Sequence, residues 1–481
     1  MIVKHYFTGK IAHSSYIVAG SGTCAVIDPR RDVDLYIEEA RALGVRITHI
    51  LETHLHADFV SGHLDLAERT GARIYAPASA DCAFDHAPLQ EGDSFSLEHL
   101  RFDVLETPGH TPEHIVYLVS DTTRASDDPV ALFSGDVLFV GDVGRPDLFP
   151  GRARELASQL YDSLHLKILT LPDHVEVYPA HGAGSLCGRS MSSKWTSTLG
   201  YERRHNPALQ IEDRDAFIAS LTSDMPPAPD HFARCSEINR AGPALVASLP
   251  APEALRPQAF SRRLADRQPV LLDVRNYDAF AGQHLAGALN IGLAGNLPTF
   301  AGWLLPPDAE IALVADDPLQ VAEAVTWARR VGIDGINACL EGGLNAWANA
   351  GLSTVNLPVL SAPGLHERLG GDGHLVLLDV RAEAEFAEEH IAGAINIPAP
   401  DLRTRHNELD PSRPTCVICS TGNRSGMAAS MLKSYGFADV TNVAGGMTGY
   451  AAAGFSKQCR VCVSPHGARV PMEIDLDVEI I

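Results

Sequence analysis

A repeated segment in the second half of the chain most constrains how the chain can fold. The string VLLDVRNYDAFAGQHLAGALNI begins at Val270, and the closely similar VLLDVRAEAEFAEEHIAGAINI begins at Val376. Further on, GIDGINACLEGGLNAW is matched in the same way by GFADVTNVAGGMTGY. Each copy opens with an apolar run that is typical of a buried strand. The repeat therefore predicts two successive α/β units of roughly a hundred residues each.

The residues before the repeat form a region of different character. At 481 residues the chain is too long for one core of ordinary size. Its first 200 residues alternate β-rich runs with polar turns, and DVDLYIEEARALG, which begins at Asp32, has the apolar spacing and final glycine of a surface helix. A Pro/Ala-rich stretch at 223–257 indicates a connector. We therefore expect domains at 1–250, 257–355 and 361–458, followed by a tail at 459–481.

Charge and cysteine content narrow the classes of protein and partner. A formal net charge of −22 opposes binding to nucleic acid or to an anionic membrane, because either partner needs a basic surface. The first residues carry no long apolar run, and no apolar run approaches the length that spans a bilayer. Nine scattered cysteines do not form a disulfide framework. We therefore expect a cytoplasmic protein, and the Cys459/Cys462 pair in the tail is a weak signal by itself.

Histidines and aspartates occur where predicted strands end. The densest group is THLHAD at 53–58, directly after the apolar run ITHILE, and PGH, SGD and PAH follow later strands. Two imidazoles one residue apart on a turn can converge on one ion, and a carboxylate two residues further on can orient an imidazole or bind a neighbouring ion. The series as a whole therefore predicts a metal site. Its members are His54, His56, Asp58, His110, Asp136 and His181.

This series resembles the metallo-β-lactamase superfamily over about the first 200 residues. The resemblance implies an αββα sandwich of α/β class, with the site at strand ends between two sheets. The superfamily's usual motif ends in Asp-His, where the histidine serves a second metal, but in this chain Asp58 is followed by Phe59. The departure favours a single ion. His63 is an alternative ligand, although the segment around it is typical of the start of a helix.

Within this superfamily the arrangement is similar to the persulfide dioxygenases, including single-chain fusions to rhodanese domains. The resemblance implies one non-haem Fe(II) per chain, held by His54, His110 and Asp136. Two imidazoles and one carboxylate leave three positions of an octahedral ion open for substrate sulfur and O2. Zinc in the same ligands stays an alternative. The resemblance also implies that the remaining members of the series orient ligands or waters, namely His56, Asp58 and His181.

Two nearby segments offer further candidates. In similar dioxygenases an Arg/Asp pair in the segment GDVGRPDLF shapes the pocket for the thiol carrier, which here points to Arg145 and Asp147. Arg145 either pairs with a substrate carboxylate or phosphate, or holds its loop through a salt bridge to Asp147. Cys187, on the Gly-rich turn HGAGSLCG, resembles a cysteine near the metal pocket of the rhodanese-fused members. It is either a sulfur acceptor or a buried thiol.

A cysteine loop marks the second copy of the repeat. The strand TCVI runs into Cys419, and a helix-like segment follows the loop. Backbone N–H groups and the positive end of a helix stabilise a thiolate and bound anions, and Arg424 adds a fixed charge for a sulfur oxyanion. Such a cradle suits transfer of sulfane sulfur through a cysteine persulfide. The other loop residues are Ser420, Thr421, Gly422, Asn423 and Ser425.

Both copies resemble rhodanese-like domains, which implies α/β folds with parallel sheets. The Cys-x4-Arg spacing is one residue shorter than that of protein-tyrosine phosphatases, which disfavours phosphatase activity. In the first copy, alignment of the repeat puts Ala315 where the second has Cys419, and Asp316 and Asp317 follow it. Two carboxylates would repel an anion. We therefore expect the first copy to be catalytically silent and to serve as a spacer or a docking surface.

The resemblance to the fused dioxygenases implies a persulfide dioxygenase of sulfide oxidation or detoxification. It would oxidise a low-molecular-weight persulfide, such as glutathione persulfide, to sulfite and free thiol, coupled to thiosulfate sulfurtransferase chemistry at Cys419. The alternatives are a zinc thioester hydrolase of the glyoxalase II type and a non-enzymatic sulfur carrier or sensor. The thiol carrier and the direction of sulfur transfer stay open. Expected partners are the persulfide, O2, sulfite and thiosulfate, with a homo-oligomer and neither nucleic acid nor membrane.

Overall fold

The computed structural model describes residues 1–123, 128–223, 225, 228–371 and 374–456. These residues divide into two compact units, the first formed by 1–274 with 296–352 and the second by 275–295 with the described residues from Ser353 onward. Among them, no helix is both long and apolar enough to cross a membrane. The predicted tail, with Cys459 and Cys462, lies outside the described residues.

Two six-stranded sheets form the N-terminal part of the first unit. The first sheet has its strands in chain order, antiparallel through the third strand and parallel afterwards: β1 (Ile2–Thr8), β2 (His13–Ala19), β3 (Thr23–Ile27), β4 (Arg46–Leu51), β5 (Arg73–Pro77) and β6 (Ala87–Leu89). Those of the second are β7 (Ser94–Leu97), β8 (Leu100–Glu106), β9 (Ile115–Asp121), β10 (Ala131–Gly135), β13 (Glu176–Pro179) and β14 (Ser197–Thr198), in the order β14-β13-β10-β9-β8-β7. A hairpin of β11 (Leu138–Phe139) and β12 (Asp142–Val143) follows β10.

Six helices accompany these sheets. They are α1 (Asp34–Leu43), α2 (His63–Thr70), α3 (Ala153–Asp162), α4 (Leu199–His205), α5 (Arg214–Thr222) and α6 (His231–Ala241). The helix predicted from Asp32 is therefore present, and it ends at Gly44 with a left-handed φ of 71°. Buried residues of α1 and α2 pack on the first sheet, and those of α3 and α5 pack on the second.

A third apolar layer lies between the two sheets. Aromatic residues from both sheets meet there, including Tyr16, Phe102, Tyr117 and Phe133. Burial of each such side chain contributes about 1.5–3 kcal/mol, so this layer holds the sheets face to face. The result is the αββα sandwich that the sequence predicted, and its strand ends carry the histidines and aspartates of the candidate site.

The rest of the first unit is most of the first repeat. Its elements are β15 (Glu253–Leu255), α7 (Pro257–Arg267), β16 (Val270–Asp273), α9 (Leu297–Leu304), β18 (Ile311–Val314), α10 (Pro318–Arg330), β19 (Ile336–Leu340) and α11 (Gly343–Asn349), and its parallel strands run in the order β15-β19-β18-β16. Two ion pairs join it to the sandwich. Arg31 contacts Asp334 at 2.7 Å, and Arg330 contacts Asp32 at 2.6 Å.

The second unit holds α8 (Tyr277–Gly282) and β17 (Leu289–Asn290) of the first repeat, together with the second repeat. The second repeat has a parallel sheet in the order β20-β24-β23-β21-β22, as predicted for a rhodanese-like fold. Its strands are β20 (Val359–Leu360), β21 (Val376–Asp379), β22 (Ile395–Asn396), β23 (Thr415–Ile418) and β24 (Val440–Val443). Its helices are α12 (Ala362–Gly371), α13 (Glu383–Glu388), α14 (Leu402–Arg405), α15 (Asn423–Ser434) and α16 (Gly446–Ala452).

Candidate functional site

Three buried side chains from three strand ends converge in the sandwich. His54 follows β4, His110 follows β8 and Asp136 follows β10 directly. Their ligating atoms lie within 4.8 Å of one another. Asp136 Oδ2 is 3.2 Å from His110 Nε2 and 3.8 Å from His54 Nε2. The structure thus brings together the three residues that the sequence singled out as metal ligands.

Hydrogen bonds at Nδ1 of His54 and His110 determine the protonation state of Nε2, the nitrogen that faces Asp136. His110 Nδ1 donates to the Arg145 carbonyl at 2.9 Å, which leaves the lone pair on Nε2. The Thr53 hydroxyl donates to Asp28 Oδ2 at 2.9 Å, so it accepts from His54 Nδ1, also at 2.9 Å. Both rings therefore present an unprotonated Nε2 to the carboxylate.

This arrangement fits a metal ion. Within the described part of the chain, neither His54 Nε2 nor His110 Nε2 has a hydrogen-bond partner. Burial lowers the pKa of both imidazoles, which keeps them neutral. Burial alone would raise the pKa of Asp136, but the neighbouring His181 imidazole outweighs burial and holds it well below its usual range. Two lone pairs and a carboxylate that converge without a proton between them suit a cation.

His114, which the sequence analysis missed, supports this cluster. Its Nε2 accepts from the Asp136 backbone N–H at 2.9 Å, so its Nδ1 donates to Thr107 Oγ1 at 2.8 Å. Its ring also stacks on that of His54, with 4.9 Å between centroids. Burial lowers the pKa of His114 to about 3, which keeps it neutral. The spacing HTPEH, four residues after His110, was the available signal.

His56 faces away from the three converging residues. Its Nε2 lies 3.1 Å from Asp28 Oδ1 and 3.8 Å from Glu52 Oε2. Burial would lower the pKa of His56, but these two carboxylates outweigh burial and raise it. Asp28 also accepts from the Thr53 backbone N–H at 2.8 Å. Asp28 was missed by the sequence analysis, although it ends the β-rich run TCAVID in the same way as the residues that were singled out.

His181 bridges two carboxylates beside the cluster. Its Nδ1 lies 2.8 Å from Asp136 Oδ1, and its Nε2 lies 2.9 Å from Asp58 Oδ2. Burial would lower the pKa of His181, but the two carboxylates raise it well above its usual range, so both nitrogens carry protons and donate. His181 therefore holds Asp136 Oδ1 and leaves Oδ2 facing His54 and His110.

Asp58, His181 and Cys187 form a second group of atoms that could hold a metal, within 4.8 Å of one another. A second ion bound by His181 would have to displace the hydrogen bond of the nitrogen that ligates it. Phe59 stands where the superfamily has a histidine, and its ring centroid lies 4.0 Å from that of buried His13. A third group that could hold a metal consists of Asp28, Glu52 and His56. His63 opens α2 with its Nδ1 3.6 Å from Glu52 Oε1 of this third group.

Arg145 and Asp147 form a bidentate ion pair with contacts of 2.6 and 2.7 Å. The Arg145 side chain is buried, and its Nη1 also donates to the Leu186 carbonyl at 3.1 Å. Its backbone N–H donates to the Cys187 carbonyl at 2.9 Å. Since His110 Nδ1 donates to the Arg145 carbonyl, Arg145 connects the Cys187 turn to the candidate metal ligand His110. Cys187 itself is buried, and burial raises the pKa of its thiol.

In the second unit, Cys419 directly follows β23 and heads the loop that opens α15. Its Sγ accepts from the Gly422 backbone N–H at 3.1 Å and from the Ser425 hydroxyl at 3.3 Å. Gly422 has a φ of 108°, which favours glycine, and Asn423 begins the helix. The loop therefore directs one backbone N–H and one hydroxyl at the sulfur.

Arg424 is engaged by a carboxylate that the sequence analysis missed. Glu385 from α13 accepts from its guanidinium at 2.7 and 2.9 Å and accepts from the Ser420 hydroxyl at 3.1 Å. Burial would raise the pKa of Glu385, but Arg424 outweighs it and lowers the pKa. The fixed charge near the loop is thus largely compensated, so anion binding rests mainly on the N–H groups and the helix end.

The first copy differs at the equivalent loop. Ala315 follows β18, and the Asp317 carboxylate accepts from the backbone N–H groups of Leu319 and Gln320 at 2.8 and 2.9 Å. A side chain of this copy therefore caps the helix end where an anion would bind. Cys339 is buried in β19 and does not belong to this loop.

Models of two known families match parts of this chain. A family model described as the metallo-beta-lactamase superfamily matches residues 8–181, and one described as a rhodanese-like domain matches 256–350 and 361–453. A probable metallo-hydrolase of Burkholderia pseudomallei is 32% identical over 47% of this chain and 88% of its own length. A hydroxyacylglutathione hydrolase of Rhodopseudomonas palustris is 33% identical over 46% of this chain and 76% of its own.

A solved structure extends the similarity beyond the sandwich. The crystal structure of a metallo-beta-lactamase from Staphylococcus aureus is 35% identical, covers 71% of this chain and 98% of its own, and superposes with a TM-score of 0.63. The chain therefore belongs to the metallo-beta-lactamase superfamily, and it carries two rhodanese-like domains.

Proposed function

We propose that residues 1–250 form a persulfide dioxygenase domain, and that the rhodanese-like domain at 361–458 transfers sulfane sulfur on Cys419. The observation that supports the first part is the convergence of His54 Nε2, His110 Nε2 and Asp136 Oδ2 while His56 is turned toward Asp28. Two imidazoles and one carboxylate form the ligand set of non-haem Fe(II) oxygenases. The domain at 257–355 would be catalytically silent.

The proposed reaction converts R–SSH, O2 and water into R–SH, sulfite and two protons. Fe(II) in this ligand set supplies open coordination positions for a sulfur anion and O2. The chain's own residues fix that set: Thr53 and the Arg145 carbonyl hold the two imidazoles, and His181 holds Asp136 Oδ1 through its Nδ1 proton. Asp58 keeps the other His181 proton, on Nε2, in place.

Cys419 would exchange sulfane sulfur with a small sulfur anion. Its thiolate attacks the outer sulfur of thiosulfate, a new S–S bond forms, and the S–S bond of thiosulfate breaks. The electron pair of the broken bond leaves with sulfite, and Cys419 becomes a persulfide. In the reverse direction sulfite attacks the Cys419 persulfide and leaves as thiosulfate. Sulfite is the proposed product of the sandwich domain. Carrying both sites on one chain would therefore keep this shared sulfite at a high local concentration.

A zinc-dependent thioester hydrolase of the glyoxalase II type is the second candidate. The similarity to proteins named hydroxyacylglutathione hydrolase favours it. Phe59 at the position of the second-site histidine and the engagement of both His181 nitrogens by carboxylates weigh against a pair of metals. The rhodanese-like domains also weigh against the hydrolase, because thioester hydrolysis does not require a sulfane-sulfur carrier.

Metal analysis and an oxygen electrode separate these candidates. We expect anaerobically purified protein to hold about one iron per chain, to consume O2 with glutathione persulfide and to release sulfite. His110→Ala should abolish O2 uptake, whereas Cys419→Ser should retain it and lose thiosulfate chemistry.

Three outcomes would contradict the proposal. Stoichiometric zinc, turnover of a glutathione thioester and no O2 uptake would establish the hydrolase. Absence of any metal-dependent turnover with a persulfidated Cys419 would establish a sulfur carrier. Oxygen uptake that survives His110→Ala would refute the ligand assignment.

A further inference from the structure

The loop around Cys419 is covered by a residue of the other copy of the repeat. Tyr277 is the first residue of α8, and residues 275–295 belong to the same compact unit as the second repeat. Within that unit the Asn290 backbone N–H donates to Ser430 Oγ of α15 at 3.0 Å. This segment of the first repeat therefore packs along the helix that Cys419 and its loop precede.

Tyr277 lies directly over the loop. A β-carbon on Gly422 would come within 3.0 Å of Tyr277 Cζ and 3.1 Å of its hydroxyl oxygen. A β-carbon on Gly426, one turn along α15, would come within 2.8 Å of Tyr277 Cβ. Gly422 is also the residue whose N–H donates to Cys419 Sγ. The ring thus occupies the space immediately above the donors that surround the sulfur.

The hydroxyl of Tyr277 interacts with the backbone of Gly445, just before α16, and electrostatically with Cys419. The adjacent Gly446 faces the loop as well, because a β-carbon there would lie 2.2 Å from the Cys419 carbonyl oxygen. A phenol oxygen that accepts from a backbone N–H still has its own proton to donate.

The second copy has nothing comparable at this position. The repeat aligns Tyr277 with Glu383, which is exposed, whereas Tyr277 is half-buried. Conversely, Glu385, which engages Arg424, aligns with Ala279 of the first copy. The two copies have therefore diverged in complementary ways, since one retains the nucleophile and its ion pair and the other places an aromatic side chain over them.

We propose that Tyr277 completes the sulfurtransferase site of the second copy. Its ring covers the sulfur carried on Cys419, and its hydroxyl donates a hydrogen bond to the terminal sulfur of the persulfide. This proposal rests on the proposed transfer function of Cys419. The first copy is then silent as a nucleophile but contributes a residue that touches the transferred atom.

The proposed hydrogen bond from Tyr277 stabilises only one side of the sulfur-exchange equilibrium, the side with the Cys419 persulfide. In the free enzyme Cys419 Sγ already accepts from Gly422 and Ser425. In the proposed persulfide the phenol donates to the added terminal sulfur, which the free thiolate does not have. Tyr277 should therefore stabilise the Cys419 persulfide plus sulfite relative to free thiolate plus thiosulfate. A hydrogen bond to a charged acceptor changes such an equilibrium by about tenfold or more.

The test measures this equilibrium in the full-length protein. Wild type and variants are incubated with thiosulfate and sulfite at set ratios, and the fraction of Cys419 that has gained one sulfur atom is measured by mass spectrometry. Tyr277→Phe keeps the ring and should lower the persulfide-to-thiol ratio about tenfold. Tyr277→Ala should do the same and also speed alkylation of Cys419 by iodoacetamide, because it removes the cover.

Tyr435→Ala is the control, since Tyr435 is an exposed tyrosine at the other end of α15 that stacks on His406. It should change neither the equilibrium nor the alkylation rate. A Tyr277→Phe protein with the wild-type equilibrium would overturn the proposed hydrogen bond, and wild-type alkylation of Tyr277→Ala would overturn the cover. If wild-type Cys419 gains no sulfur from thiosulfate, the proposed transfer function itself fails, and the role of Tyr277 fails with it.

Discussion

Replacing Thr53 by valine removes one hydroxyl at nearly constant shape and tests how the candidate metal ligands are oriented. In the native structure this hydroxyl donates to Asp28 Oδ2 and accepts from His54 Nδ1, both at 2.9 Å. Valine can do neither. The proton of His54 would then no longer be fixed on Nδ1, and its Nε2 would no longer be held as an acceptor toward Asp136.

The expected magnitude follows from what each partner loses. Removal of a hydrogen bond that supports a ligating imidazole lowers metal affinity by about 10–100-fold, which corresponds to about 1.4–2.7 kcal/mol. Asp28 keeps the Thr53 backbone N–H at 2.8 Å and the His56 ring at 3.1 Å, but both contacts are at Oδ1, so Oδ2 loses the hydroxyl. The cost to stability without metal should therefore fall within the roughly 1–3 kcal/mol for an unsatisfied buried group.

Chelator competition under anaerobic conditions measures the affinity, with Fe²⁺ and with Zn²⁺, and thermal unfolding of the metal-free protein measures stability separately. Thr53→Ser keeps the hydroxyl and serves as the matched control, so its affinity should stay close to that of the wild type. The reasoning is refuted if Thr53→Val binds metal as tightly as Thr53→Ser does, because the hydroxyl would then have no part in orienting His54.

Three further changes test other parts of the molecule. Phe59→His restores the superfamily motif, and we expect zinc bound per chain, measured by elemental analysis, to rise above the wild-type ratio; an unchanged ratio would mean that Phe59 does not exclude a second ion. Glu385→Gln leaves the charge of Arg424 uncompensated, so KM for thiosulfate should fall, and more at low ionic strength than at high; an unchanged KM at both would contradict this. Asp317→Ala removes a helix cap, which should cost about 1 kcal/mol of stability in denaturant unfolding while sulfur transfer at Cys419 stays at wild-type rates.

The strand-end residues could be predicted from sequence because their chemistry and their position are both local. An apolar run marks a strand, and the polar residue that follows it must lie at the edge of a sheet. For this reason His54, His110 and Asp136 were singled out together, and the structure brings them together. The cysteine loop is similar, since strand, glycine and helix are contiguous from β23 to α15.

The supporting contacts could not be predicted in the same way, because they join residues that are far apart in the chain. Asp28 reaches Thr53 from the adjacent strand end, and Glu385 reaches Arg424 from α13. Nothing in a local pattern says which carboxylate will face which donor. For Arg145 the sequence left two alternatives, and the structure shows its pairing with Asp147 while its role toward a substrate stays a prediction.

Duplication explains why the first copy can lose its nucleophile and still be retained. The copies share a backbone plan, so a side chain at the start of α8 can diverge without altering the sheet beneath it. In this chain residues 275–295 pack with the second copy, and the loop beneath Tyr277 has glycine at the positions where a β-carbon would meet its ring. The fit is thus mutual, since Gly422 and Gly426 leave the space that Tyr277 fills. A transfer site assembled from both copies needs only one thiol, and it loses its cover if the two copies separate.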